Sequence, residues 1–227
     1  MRKIFTRSLF RRRENRAKKK PLGQSIVEFA LLLPILLMML SGLIEFGFML
    51  NYYLDIIDAA REAARFAAND DPLYDDNGNF ADPRCQFYLN AQDIAEQSLN
   101  LGSGGQITLN PSTDDVIISV YSALANGTVN QRWPQNTAGC AGLLHVRSGE
   151  VSLNNTKTSG IDTMADIESK LSSSAPSTGL VSVEIYYDYH MILGLPWIKA
   201  FVPDPITLYA YSIMPNTYAE PTPTPSS

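Results

Sequence analysis

Histidine, cysteine and tryptophan occur only twice each in these 227 residues, and no catalytic signature is present. His145 and His190 accompany no nucleophile in a recognisable arrangement, and GxSxG, HExxH, phosphate-loop and dinucleotide-binding patterns are missing. No catalytic residue is assigned, and the chain is expected not to be an enzyme. Cys85 and Cys140, with only His145 nearby, make a poor zinc set. Asp70, Asp71, Asp75, Asp76, Asn77, Asn79 and Asp82 make residues 70–84 oxygen-rich. Counting back from Gly78, however, puts Leu73 where the first ligand of an EF-hand belongs, so a plain polar loop is expected there. No metal and no cofactor are expected.

Charge is missing from residues 29–44, and apolar character continues past Glu45 to Leu50. At about 1.5 Å per residue the 29–50 span reaches roughly 33 Å, enough to cross a bilayer core of about 30 Å. A cleaved secretory signal is the rival reading, but its apolar part is usually only about 7 to 15 residues long. Here helical spacing also runs on: Leu54, Ile57, Ala60, Ala64 and Ala68 recur at three or four residues. An unbroken helix over 24–68 is expected, rich in alanine, the best helix former. Pro34 removes one hydrogen bond within it. A buried carboxylate at such a place needs a partner or a role. Glu45 lies close enough to the outer edge to be hydrated, whereas Glu28 does not.

The formal charge of -5 hides a split, because residues 1–22 hold ten Lys/Arg and one acidic residue, against eight and 22 in the remainder. A basic arm can bind nucleic acid through counterion release. This one directly precedes the apolar span, so it reads as the positive-inside flank of a membrane helix, with no nucleic-acid partner. The N-terminus is then cytoplasmic and the bulk of the chain extracytoplasmic, on a single-pass cell-membrane anchor. The basic residues can also touch anionic headgroups.

Across the boundary the chain reads Lys19-Lys20-Pro21-Leu22-Gly23-Gln24-Ser25-Ile26-Val27-Glu28-Phe29. This resembles the processing site of type IV prepilins and pseudopilins: a basic leader ending in Gly, a scissile bond, and Glu as the fifth residue beyond it. The resemblance implies cleavage between Gly23 and Gln24 by a prepilin peptidase. It also implies that Glu28 neutralises the new amino terminus of a neighbouring helix. The stretch from Gly23 to Pro34, then Ile44-Glu45-Phe46-Gly47 and the run from Ala59 to Ala68, is similar to the TadE-like family. Its members are minor pseudopilins or accessory membrane proteins of the tight-adherence, or Flp-type, pilus and secretion system. Phe29 departs from the pattern, standing where Tyr often follows the Glu. Pilin or pseudopilin subunits and the assembly machinery are the implied partners. Glu45, Ala60 and Ala64 fall on the helix that would pack among them, the alanines leaving a narrow surface for another helix.

The domain plan is a basic leader (1–23), a transmembrane helix and stalk (24–69), an extracytoplasmic domain (70–214) and a Pro/Thr/Ser-rich tail (215–227). The class is α+β, a small pilin-like domain whose antiparallel sheet packs on helices. A helix is expected over 86–99 and strands over 106–109, 116–124, 181–189 and 206–214, joined by a loop at 193–205. Val181, Val183, Ile185, Tyr187 and Tyr189 alternate with Ser182, Glu184, Tyr186 and Asp188, so this strand is read as half-buried. Residues 125–178, full of Asn, Ser, Thr and Gly, read as a functional insertion or a partly mobile region, with one short helix over 162–171. In an oxidising compartment Cys85 and Cys140 are expected to pair, worth roughly 4 kcal/mol in the chain-entropy model. The alternative function is a membrane-anchored binding or sensing module in which residues 125–178 capture a ligand.

Overall fold

The computed structural model describes residues 22–72, 85–101, 107–134, 145–147, 149–161, 164–171 and 177–221. The chain divides into two compact units, Met1–Leu40 and Ser41–Ser227. Helix α1, Leu22–Ala67, runs 46 residues without a break, with Pro34 inside it. In the first unit its side chains from Ser25 onward are exposed. Among the described residues, Ser25–Ala67 is the one helix long and apolar enough to cross a membrane, with a mean hydropathy of 2.3 over its most apolar window.

Beyond Leu40 one face of α1 becomes a core face. Ile56, Ala59, Ala60, Ala63, Ala64 and Ala67 are fully or almost fully buried. They share one apolar cluster with Phe87, Tyr88, Ala91, Ala95 and Leu99 of helix α2 (Cys85–Leu101). The opposite face stays wet, carrying the ion pairs Asp58–Arg61 (3.3 Å) and Glu62–Arg65 (2.9 Å) expected from i,i+3 spacing. The helix ends where Asn69, Asp70 and Asp71 precede Pro72. The Asn216 side-chain amide donates to the carbonyls of Ala67 and Asp70, both at 2.9 Å. It thereby adds donors at a helix end whose last carbonyls lack the regular intrahelical ones.

Six antiparallel strands follow: β1 Asp115–Ala123, β2 Val129–Trp133, β3 His145–Arg147, β4 Glu150–Ser152, β5 Thr178–Tyr189 and β6 Ile206–Asn216. Their order is β3-β4-β1-β5-β6, and β2 shares with β4 the outer edge of β1. The long central pairs set the register, Ile118 opposite Val183 and Tyr186 opposite Tyr209. Val116, Ile118, Val120, Val181, Val183 and Ile185 face the cluster that holds α1 and α2. The molecule is thus α+β, a long apolar helix followed by an antiparallel sheet and helices, as the residue pattern implied.

Three expectations differ from the structure. Residues 107–110 form no strand, because the Ile107 amide bonds back to the Leu99 carbonyl at the end of α2. The described parts of 125–178 are built into the sheet as β2, β3 and β4, with helix α3 (Met164–Glu168) beside them. Strands of three to five residues carry too little alternation to stand out from a polar background. The polar face of β5 is not solvated either, since Ser182 and Glu184 are fully buried. A second apolar cluster covers that face, formed by Tyr121, Ala123, Val129, Ile161, Ile167 and Leu180.

Asp115, fully buried at the start of β1, organises the turn after β4. Its carboxylate accepts from the Ser152 hydroxyl (2.7 and 2.9 Å) and from the amides of Asn154, Thr156 and Lys157, each at 3.0 Å. Asn155 takes a positive φ of 57° inside this turn, a conformation that asparagine tolerates better than most residues. Asp115→Ala removes the acceptor of one buried hydroxyl and three half-buried amides and is expected to cost about 2–4 kcal/mol, read by denaturant unfolding of the full chain in micelles. A loss below about 1 kcal/mol would show that the turn holds itself.

Candidate functional site

The region of α1 that the residue pattern singles out holds two separate arrangements, one in each unit. In the first, Gly23 and Glu28 lie on the opening turns of α1, both exposed. The peptide bond after Gly23 therefore falls in a first helical turn, whose amides have no intrahelical acceptor. A Cβ on Gly23 would meet no neighbouring atom within 4 Å, so packing does not require a glycine there. The backbone of Gln24 is helical, and its side chain is outside the described residues.

In the second unit the focus is Glu45, only 5% exposed rather than hydrated. Its Oε1 accepts from the Tyr189 hydroxyl at 2.6 Å and from the Ile192 amide at 2.8 Å, and Oε2 accepts from the Leu193 amide at 2.8 Å. An acidic side chain on a helix carrying Leu43, Phe46 and Met49 is thereby matched by three donors from far along the chain. Charge-assisted bonds of this kind are shorter and roughly twice as strong as neutral ones. Tyr52, two turns along α1, stacks on Tyr187 with ring centroids 5.9 Å apart and meets Tyr189 edge-on at 5.3 Å. One turn before Glu45, the Ser41 hydroxyl accepts from the Trp197 indole at 3.1 Å. The 191–205 loop, with its short helix α4 (Pro196–Lys199), is thus fastened along α1. Between them lies an apolar cavity of about 120 Å³, lined by Gly42, Phe46, Met49, Met191, Ile198 and Val202 among others.

Ala60 and Ala64 are completely buried, but within the chain's own domain. The small-residue face that reads as a surface for another helix is covered by the sheet and helix α2 of the same chain. The small side chains of this face are buried in one apolar cluster with residues of the sheet and α2. Cys140 and the Cys85 side chain are outside the described residues, and the disulfide has no support from the structure. The partners of Glu45 escape a reading of the sequence. Their signal is an apolar loop carrying Trp197 and Phe201, which reads there only as a connector.

A second buried carboxylate sits across the sheet. Glu184 accepts from the Ser159 hydroxyl, the Gly160 amide (2.7 Å) and the Tyr209 hydroxyl (2.8 Å). Burial pushes its pKa up, against the opposing pull of these hydrogen bonds. Burial and the nearby Glu184 charge push the Tyr186 hydroxyl up to about 12. These groups tie the 159–161 segment over the sheet and are read as structural.

Residues 23–65 match the family model described as TadE-like protein. That segment contains the junction at Gly23, both Glu28 and Glu45, and the alanine face as far as Arg65. No curated protein and no solved structure matches the chain.

Two outcomes test these contacts. Glu45→Ala strands two amides and a tyrosine hydroxyl, and is expected to cost about 2–4 kcal/mol, against about 1 kcal/mol for Tyr189→Phe. Hydrogen exchange at Ile192 and Leu193 should accelerate in Glu45→Ala, and unchanged protection there would refute the clamp. Glu184 titrates in the folded chain above its ordinary value of 4.5. Its contribution to stability is therefore fully present below that value and lost as pH rises through the folded pKa. Urea midpoints measured from pH 4 to 8 should carry this downward component, and Glu184→Gln should remove it.

Proposed function

We propose that this chain is a TadE-like pseudopilin or accessory membrane protein that acts in assembling a Flp-type, tight-adherence pilus or a related secretion system. The observation that carries the reading is the TadE-like match over residues 23–65, which coincides with a helix long and apolar enough to span a bilayer. The role is non-catalytic: α1 holds the chain in the membrane among pilin or pseudopilin subunits and assembly machinery, while the folded unit offers surfaces to them. The basic leader keeps the N-terminus in the cytoplasm and leaves the folded unit extracytoplasmic.

A prepilin peptidase cuts between Gly23 and Gln24. Two features support this step. The glycine is not demanded by the chain's own packing, which fits a requirement imposed by a protease cleft. Glu28 is exposed on an apolar helix, where a carboxylate favours a cationic partner such as a freed amine.

Peptide mapping of protein purified from native membranes is expected to find a mature N-terminus at Gln24. Gly23→Leu should leave the leader attached, with a mass increase equal to residues 1–23. An intact leader in the native protein, from cells with an active peptidase, would overturn the processing step.

A further inference from the structure

The 191–202 segment is unusually apolar for a loop on a folded surface. Phe201 is 85% exposed and Ile192 50%, and Leu193, Trp197 and Val202 are exposed as well. Its position beside α1 is fixed by two contacts, Glu45 to the Ile192 and Leu193 amides and Ser41 to the Trp197 indole. Ser41 lies within the uncharged 29–44 stretch, one helical turn inward from Glu45, or roughly 6 Å along the axis. A helix placed in a bilayer by that stretch carries this loop into the bilayer with it.

Most amides of the loop, those of Gly194, Leu195 and Trp197 excepted, are satisfied within the chain. Irregular backbone survives near hydrocarbon only where its polar groups are satisfied internally. The amides of Ile198, Lys199, Ala200, Phe201 and Val202 bond to carbonyls of Leu195, Pro196 and Ile198. Those of Ile192 and Leu193 bond to Glu45, and that of Met191 to Asp204. Pro196, Pro203 and Pro205 have no amide to satisfy. The ionisable groups collect together: Lys199 pairs with Asp204 at 2.7 Å and the His190 ring lies 3.4 Å from the same carboxylate. Tryptophan at the edge of an apolar span, with a lysine whose stem can snorkel, is the arrangement favoured at headgroup level.

We propose that residues 191–202 are a second membrane-contacting element, lying in the interface of the leaflet nearest the folded unit, with Trp197 and Phe201 among the lipids. This rests on the reading of α1 as a membrane anchor. The continuity of the loop with the apolar span of α1 names lipid as its occupant. The bonds of Glu45 are then made at the membrane boundary, where an unmatched carboxylate would be expensive.

The test uses the full chain in phosphatidylcholine and phosphatidylglycerol vesicles with bromine atoms at chosen acyl depths. Trp133 is buried in the sheet, so the emission of Trp197 is the difference between wild type and Trp197→Phe. A reference tryptophan is placed on the exposed anchor by Leu36→Trp in the Trp197→Phe background. Trp197 is expected to be quenched roughly twofold more by shallow bromines than by deep ones, as suits a group about 5–10 Å into the interface. Quenching of the reference tryptophan but not of Trp197 would overturn the proposal and leave the anchor standing. Failure of both to quench would sink the anchor reading itself. Quenching of Trp197 that vanishes as protein density rises, while the reference tryptophan stays quenched, would assign the face to a second copy of the chain and overturn the lipid assignment.

Discussion

A carboxylate inside an apolar helix face must find donors, and the course of the second unit follows from how Glu45 finds them. The hydroxyl of Tyr189 and the amides of Ile192 and Leu193 arrive together because β5 ends there and its chain turns away. That places the last residues of the longest strand against α1, and the stacked Tyr52 and Tyr187 continue the contact. Farther along, apolar burial of alanines takes over from hydrogen bonds in holding α1 to the fold. The same helix thus passes from an all-round apolar surface, through a polar clamp, to a small-residue core face.

The division of labour between the two faces of the sheet is equally physical. One face meets helices through aliphatic and aromatic side chains. The other is closed by a segment of the chain itself, held by Glu184, Tyr209 and a smaller apolar cluster. Burying a carboxylate there is costly, and three donors are gathered around Glu184 to offset the cost. With both faces covered, the long strands β1 and β5 are buried along most of their length.

Much of this is legible in the residues. The continuous helix is readable because apolar composition and then alanine spacing persist for more than ten turns, with Pro72 as a stop. Strand β5 is readable from period-two alternation, and β6 as its apolar partner across the loop. The extent of β5 burial is not, because alternation reports only that two faces differ, and Ser182 and Glu184 look the same whether water or a strap of chain lies above them. Strands β2, β3 and β4 escape because each is too short to show a period. Glu45 stands out as misplaced, but no local pattern tells which of the distant amides will meet it. The alanine face reads as a surface for close approach, and the structure puts the chain's own sheet on it. Small residues state how near a neighbour can come, not whose chain it belongs to.

Asn216 ties the C-terminal end of α1 to the last residues of β6, its amide on the carbonyls of Ala67 and Asp70 and its own oxygen accepting from Tyr218 and Ala219. Nearly 150 residues separate the two sides of this knot. During synthesis the helix emerges first, yet its end cannot be fully capped, nor its alanine face covered by β6, until almost the whole chain has followed. The partly made chain therefore carries an unfinished helix terminus until then. Contacts of such long sequence separation form late and slowly. Folding of the second unit is thereby ordered in time: α1 is available from the outset, whereas the folded surface exists only after the final strand has closed.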